Sequence, residues 1–269
     1  YLQAAEGCSF NACSFCGFYR DRRFHVKSLA EFREHILRVR AFFGGGLSYR
    51  RSIFLGDANA LMLPQTHLVP LFDAINAEFA IAPRALPPAD PQAWDAAHPI
   101  HFGGIYSFID AYATRRKTAR DFLQLAGRGL RRVYLGLESG APELLRFLGK
   151  PNTPADAQRL VEQLKLAGVA VGIILLVGAG GEQFQDTHVR DTTRLINALP
   201  LDGNDLIYFS ELVDYPGSTY SAHAARAGIR PLSLGELEQQ MTALRAGFEF
   251  QNGAPAPKIS YYDIREFVY

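Results

Sequence analysis

Six apolar segments alternate with amphipathic ones along this chain, and no other feature restricts its fold as much. The apolar segments are Tyr1 to Ala5, Arg51 to Leu55, Ile105 to Ala111, Arg132 to Leu137, Val169 to Val177 and Leu206 to Leu212. Helical periodicity runs over Ser28 to Phe43, Gln65 to Phe79, Thr118 to Gly127, Thr153 to Ala167, Phe184 to Ala198 and Ser233 to Phe248. A helix between two strands returns the chain to the end where the next strand begins, so such strands pair in parallel. Glycines at Gly129-Leu130 and Gly168-Val169 fit helix C-caps feeding a strand, and Ser28 fits an N-cap. The expected fold is α/β, a partial (β/α)6 TIM-like barrel.

The 269 residues suit one large domain, expected over residues 1–250. Residues 81–104 break the rhythm. Pro83, Pro87, Pro88, Pro91 and Pro99 surround Trp94, too many prolines for a helix interior, and the stretch reads as an insertion and a candidate lid. Residues 251–269 form a short C-terminal extension whose aromatic run, Tyr261-Tyr262 to Phe267-Tyr269, is expected to pack on the barrel. The longest apolar run, Val169 to Ala179, falls short of the roughly 20 residues that span a bilayer. With no charged-then-apolar leader visible, a reducing cytoplasm is the expected compartment. The 28 basic and 27 acidic residues leave a charge of +1, which argues against a general nucleic-acid binder.

Three cysteines, Cys8, Cys13 and Cys16, all fall in one short segment after the first strand. An odd, tightly clustered set is no disulfide framework. Thiolates so placed favour a soft metal centre. A closed structural zinc site wants four ligands, and the chain has no fourth cysteine; His25 lies outside ordinary ligand spacing. Three thiols on an iron-sulfur cubane leave one iron open for chemistry. An iron-sulfur centre, a zinc site and plain buried thiols all remain open on spacing alone.

Glu6-Gly7-Cys8 followed by Cys13-Ser14-Phe15-Cys16, with an aromatic before the last thiol, resembles the cluster loop of radical S-adenosylmethionine (SAM) enzymes, with four rather than the common three residues between the first two cysteines. Further segments resemble that family in the same order. Ile53-Phe54-Leu55-Gly56-Asp57 looks like the glycine turn whose acid meets the methionyl ammonium of SAM. Val133 to Gly140 with Leu144 to Lys150 looks like the branch of oxygen-independent coproporphyrinogen dehydrogenase and radical-SAM tRNA-modifying enzymes. There the residue at Glu138 contacts the ribose and that at Lys150 reaches the nucleoside or carboxylate. Strand six, around Ser210, lies where the family brings backbone near the adenine. The ribose-holding acid of some relatives would fall near Ile174, which is apolar. Gly178 to Glu182 reads as a strand-to-helix turn and not a phosphate loop.

The resemblance implies a [4Fe-4S] cluster held by Cys8, Cys13 and Cys16. It also implies a cofactor set of Phe15, Gly56, Asp57, Glu138, Lys150 and Ser210. An external one-electron reductant such as flavodoxin or ferredoxin would drive SAM to methionine and a 5′-deoxyadenosyl radical, which abstracts hydrogen from substrate. The expected substrate is a small molecule or peptide, with tRNA modification as the alternative and a non-catalytic zinc or iron-sulfur protein as the different class. Candidate catalytic residues at the rim are Asp110, Tyr112, Arg115 and Glu211, with Tyr215 beside them; each could instead be only a solvated loop polar. His25, His67, His101 and His188 read as surface or capped histidines. With all three thiols used, neither a second cluster nor a cobalamin domain is expected within these residues.

Overall fold

The computed structural model describes residues 1–84, 91–214, 218–250 and 255–262. Seven strands form one all-parallel sheet: β1 (Leu2–Gln3), β2 (Ile53–Gly56), β3 (Ile105–Ile109), β4 (Leu130–Glu138), β5 (Ala170–Val177), β6 (Leu206–Glu211) and β7 (Lys258–Tyr261). They lie in strict chain order, each beside its predecessor. A doubly wound sheet would reverse its order at a switch point. Unreversed winding sends every crossover to the same side and curves the sheet around the other, which gives an open partial barrel.

The helices in chain order are α1 (Leu29–Phe43), α2 (Gln65–Glu78), α3 (Pro91–Ala97), α4 (Ala119–Ala126), α5 (Pro142–Phe147), α6 (Pro154–Leu166), α7 (Gly181–Ala198), α8 (Thr219–Arg226) and α9 (Leu234–Gly247). Their ends follow local chemistry. Ser28 and Glu31 close a capping box on α1, and Thr153 with Asp156 does the same on α6. Gly168, at φ +67°, ends α6 in the left-handed region expected of a glycine C-cap.

Alternation along each strand separates two environments. Leu55, Val133, Leu135, Val171 and Ile173 point outward and are buried with Phe32, Phe72 and Phe122 of the helices. Each such large side chain stabilises the fold by about 1.5–3 kcal/mol. The inward residues Phe54, Tyr106, Phe108, Tyr134 and Tyr208 are only half-buried. Their rings form a contiguous layer, with Phe54 5.0 Å from Phe108 and Tyr134 6.3 Å from Tyr208 between centroids.

Three expectations are corrected. The C-terminal extension does more than pack on the barrel, because Lys258–Tyr261 pairs in parallel with β6 as a seventh strand. Its aromatic end, Phe267 to Tyr269, lies outside the described residues, as does Tyr215. The proline-rich insertion contains a helix, α3, since Pro91 stands at its first position, where the missing N–H costs nothing. Nor is the insertion a lid over the strand ends that carry the cysteine loop. Arg84 donates to the Ala167 carbonyl, Arg131 to that of Ala82, and Gly103 N–H to that of Arg51, all at the beginnings of strands. This is the opposite end of the sheet.

Candidate active site

The cysteine loop lies beyond the C-terminal end of β1 and is tied down from three sides. Ser14 N–H donates to the Leu148 carbonyl at the end of α5 (2.9 Å), and Tyr220 N–H in α8 donates to the Ser14 carbonyl (3.0 Å). Gly7 N–H donates to the Asp57 carboxylate (3.1 Å) just after β2. Arg20 closes the loop on itself by donating to the carbonyls of Cys13 and Cys16. Gly149 adopts φ +70°, and a Cβ there would stand 3.2 Å from the Ala12 carbonyl, so glycine lets α5 end directly on the loop.

All three thiols are free and half-buried. Burial pushes the Cys13 thiol up to about 12 and raises that of Cys16, so binding a metal, which favours the thiolate, must work against desolvation. Among the described residues no three Cys, His, Asp or Glu side chains converge as they would around a single metal ion. Three soft thiols along one loop suit in chemistry a polynuclear iron-sulfur centre.

Beside Cys13 lies a buried charged group built from three sequence-predicted residues. Lys150 Nζ stands 3.0 Å from Asp110 Oδ2 and 3.6 Å from Glu138 Oε1, and it donates to the Gly136 carbonyl. Burial opposes the ammonium, but the two carboxylates outweigh it and hold Lys150 above its ordinary value. Glu138 is raised instead, by burial first and by Asp110 second, against the pull of Lys150. Asp110, expected at the substrate rim, therefore serves Lys150. A β-bulge between Gly136 and Glu138, with Glu138 at φ +63°, turns this carboxylate inward.

The other expected residues divide. Asp57 is already in use, with acceptor capacity to spare: its carboxylate accepts from Gly7 N–H and from the hydroxyls of Tyr1 (2.7 Å) and Tyr19 (3.0 Å). A Cβ at Gly56 would meet the Tyr1 ring, so the Tyr1 side chain lies directly against the Gly56 backbone. Tyr112 reaches the cysteine loop, sharing a hydrogen bond with Ser9 and packing 6.0 Å from Phe10; burial raises its hydroxyl. Ser210 is buried at the end of β6, and Phe15 packs on a small apolar cluster with Tyr220 and Leu144. Arg115 is not brought to this group, since it turns to the Pro151 carbonyl (2.9 Å) and Asp156 (3.5 Å). Glu211 accepts from Tyr261 of β7.

Two residues escaped sequence reading. Asn59 Nδ2 lies 3.9 Å from Cys8 Sγ, and its place two residues after Asp57 was the available signal. His188, read as a surface or capped residue, is fully buried, and desolvation lowers it to about 4. Its Nδ1 is 2.8 Å from Ser139 Oγ, while Thr192 Oγ1 accepts from Gly140 N–H. This neutral network fixes the backbone immediately after Glu138. The glycines at Gly178 to Gly181 form a strand-to-helix turn as expected, with Gly178 N–H bound to Gln240 and Gly180 N–H to the Tyr220 hydroxyl.

A parallel barrel with thiols, acids and a lysine gathered at its C-terminal strand ends defines an enzyme class in which a loop-held iron-sulfur centre faces a cofactor pocket. The particular family follows from comparison: the chain belongs to the Radical SAM superfamily, whose family model matches residues 2–192. Members use a [4Fe-4S] cluster and SAM, and the chain is an enzyme. It is 26% identical over 232 residues to a tRNA-2-methylthio-N(6)-dimethylallyladenosine synthase of Alkalilimnicola ehrlichii, matching 82% of this chain and 45% of that protein. It thus spans about half the length of that curated relative. Among solved structures it resembles the radical SAM methyltransferase TsrM of Kitasatospora setae (TM-score 0.57, 19% identity, 84% of this chain and 36% of that one). It also resembles coproporphyrinogen III oxidase (HemN) of Escherichia coli (TM-score 0.53, 15% identity, 91% and 52%). These likenesses bear on the fold. Among the described residues no helix is long and apolar enough to cross a membrane.

Proposed function

We propose that this chain cleaves SAM reductively and directs the resulting radical at a small-molecule or peptide substrate. The observation that carries the reading is the buried Lys150, Asp110 and Glu138 group beside Cys13, at the strand ends where barrel enzymes bind ligands. Cys8, Cys13 and Cys16 would hold the cluster, which when bound and reduced would supply the one electron that reductive cleavage of the sulfonium to methionine and a 5′-deoxyadenosyl radical requires.

The chain's own residues position and shield. Lys150 offers a fixed positive charge to an anionic or polar part of SAM, and Glu138 offers a carboxylate to its ribose. Asp57 holds the cysteine loop in register through Gly7 and contributes acceptor oxygen near the methionyl end. Ser210 lies toward the adenine, and Tyr112 closes the side against Ser9 and Phe10. Below them the half-buried rings of Phe108, Tyr134 and Tyr208 provide an apolar wall that limits water around a reactive radical. An external one-electron carrier, such as flavodoxin or ferredoxin, and a reducing cytoplasm complete the requirements.

The near-neutral charge favours a small or peptide substrate, whereas the kinship with a tRNA-modifying synthase favours the second reading, modification of a nucleoside in tRNA. Anaerobic reconstitution should load about four irons per chain, and dithionite plus SAM should then yield 5′-deoxyadenosine. Purified protein that carries only zinc and releases no nucleoside would sink the proposal. Incubation with bulk tRNA followed by nucleoside mass spectrometry separates the two substrate readings.

A further inference from the structure

The cysteine loop carries one residue more between Cys8 and Cys13 than the common radical SAM spacing, and a left-handed turn lies inside that interval. Asn11 makes it, at φ +47°, in a region that asparagine tolerates better than most side chains. The turn points the Asn11 N–H at the first thiol, 3.3 Å from Cys8 Sγ. The Asn11 side chain donates to the Tyr19 carbonyl (2.7 Å), and the Tyr19 hydroxyl donates to Asp57 (3.0 Å), so the turn is tied to the end of β2.

A second donor reaches the same sulfur from outside the loop. Asn59 Nδ2 lies 3.9 Å from Cys8 Sγ. Asn59 is the N-cap of the 3-10 turn Ala60–Met62, a position where asparagine ordinarily spends its side chain on the first free N–H groups of the helix. Here it makes no such bond. Its backbone is held by Met62 N–H, which donates to the Asn59 carbonyl (2.9 Å), and its amide is turned to the sulfur instead. A thiolate has no proton to give, so the amide meets it with Nδ2–H.

We propose that the Asn11 N–H and the Asn59 amide act together on Cys8 as positioning donors that raise the reduction potential of the iron-sulfur centre. The inference rests on the radical SAM reading and adds to it two residues that set how readily the centre takes its electron.

Reduction adds one electron, and with it one negative charge, while no atom is transferred. N–H groups aimed at a ligand sulfur stabilise that charge, and hydrogen bonds to sulfur are among the levers that set cluster potentials. The surroundings call for such an offset. Asp110 and Glu138 act on Cys13, and Asp57 holds Gly7 beside Cys8; these carboxylates oppose added negative charge. Lys150 answers them at Cys13, and Cys16 Sγ accepts from the Phe18 N–H within the loop. Cys8 draws its donors from two segments, the loop and the turn after β2.

The test is a redox titration of reconstituted protein without SAM, the reduced cluster being read by EPR and iron content measured on the same samples. Asn59→Ala removes one donor. At a fixed potential its ratio of reduced to oxidised cluster should fall about threefold, which is roughly 30 mV for a one-electron couple at about 59 mV per tenfold. Asn59→Asp, nearly the same shape, sets a carboxylate where a donor stood and should lower the ratio further. Equal potentials in the three proteins, each holding about four irons, overturn the proposal. An Asn59→Ala protein of unchanged potential that binds SAM more weakly by calorimetry overturns it in favour of a cofactor contact. Loss of iron in both variants overturns it as well, because Asn59 then holds the loop and does not tune it. An unaltered protein with no reducible cluster takes down the radical SAM reading and this role with it, whereas a reducible cluster with equal potentials removes the role alone.

Discussion

Two lysines, each set between two carboxylates, stand at opposite ends of the same sheet. At the starts of the strands, Lys165 lies 2.8 Å from Asp202 and 2.6 Å from Asp205. Asp205 is completely buried and completely served, accepting also from Val171 N–H and Asp202 N–H. At the ends of the strands, Lys150 lies between Asp110 and Glu138, but Glu138 has only a 3.6 Å approach to the ammonium and a carboxyl raised by burial. A saturated cluster has nothing left to offer a ligand, and its residues join α6, β5 and β6 into one unit. An unsaturated one carries an electrostatic cost in the free protein that a bound ligand can relieve. The completeness of hydrogen bonding, more than burial or charge, separates the lysine at the strand starts from the lysine at the strand ends.

Replacing each lysine in turn tests that division. Lys165→Met should leave Asp205 buried and unpaired and lower stability by about 3–5 kcal/mol, read by urea unfolding, without changing SAM affinity of the folded fraction. Lys150→Met should lower SAM-cleavage kcat/KM by about a hundredfold, with iron content retained. If Lys150→Met is silent toward SAM, the two ends differ only in hydrogen-bond count and the comparison breaks.

His188 sharpens it by a pH effect that belongs to the scaffold behind Glu138. Its folded value of about 4 lies below the ordinary 6.5, so on acidification the unfolded chain binds a proton that the native chain refuses. Stability should therefore fall between pH 6.5 and 4, by about 3 kcal/mol in total. His188→Gln should remove that share of the acid dependence. Identical slopes of unfolding free energy against pH in the two proteins would refute the assignment.

The smallest effect expected is at Asp57. Asn in its place keeps the shape but trades an acceptor for a donor that opposes Gly7 N–H or one of the tyrosine hydroxyls. SAM binding should weaken by about tenfold while iron content holds. Loss of the cluster as well would assign Asp57 to the loop alone.

Much of this was legible in the chain. The six strand segments were visible because each is a compact apolar run bounded by glycine or polar residues, and the buried outward faces of β4 and β5 follow from that pattern. The seventh strand was not, because Lys258–Tyr261 has one partly buried residue and is defined by the edge of β6 it meets. Cys8, Cys13 and Cys16 announced themselves by proximity in sequence. The pairing of Asp110 with Lys150 could not, since 40 residues separate them and only the fold, running through β4 and α5, brings Lys150 to the end of β3. His188 was misread because a polar residue in an amphipathic helix has no local mark that tells a buried face from a wet one.

The three anchors of the cysteine loop also set an order of events. Synthesis runs from the N-terminus, so the thiols emerge before any of Asp57, Leu148 and Tyr220, the residues that hold their loop. Until Tyr220 has left the ribosome, the loop is an unsupported strand of nucleophiles, exposed to oxidation and to stray metal. Maturation of the site therefore belongs after the synthesis of α8, and until then the three thiols need reducing surroundings.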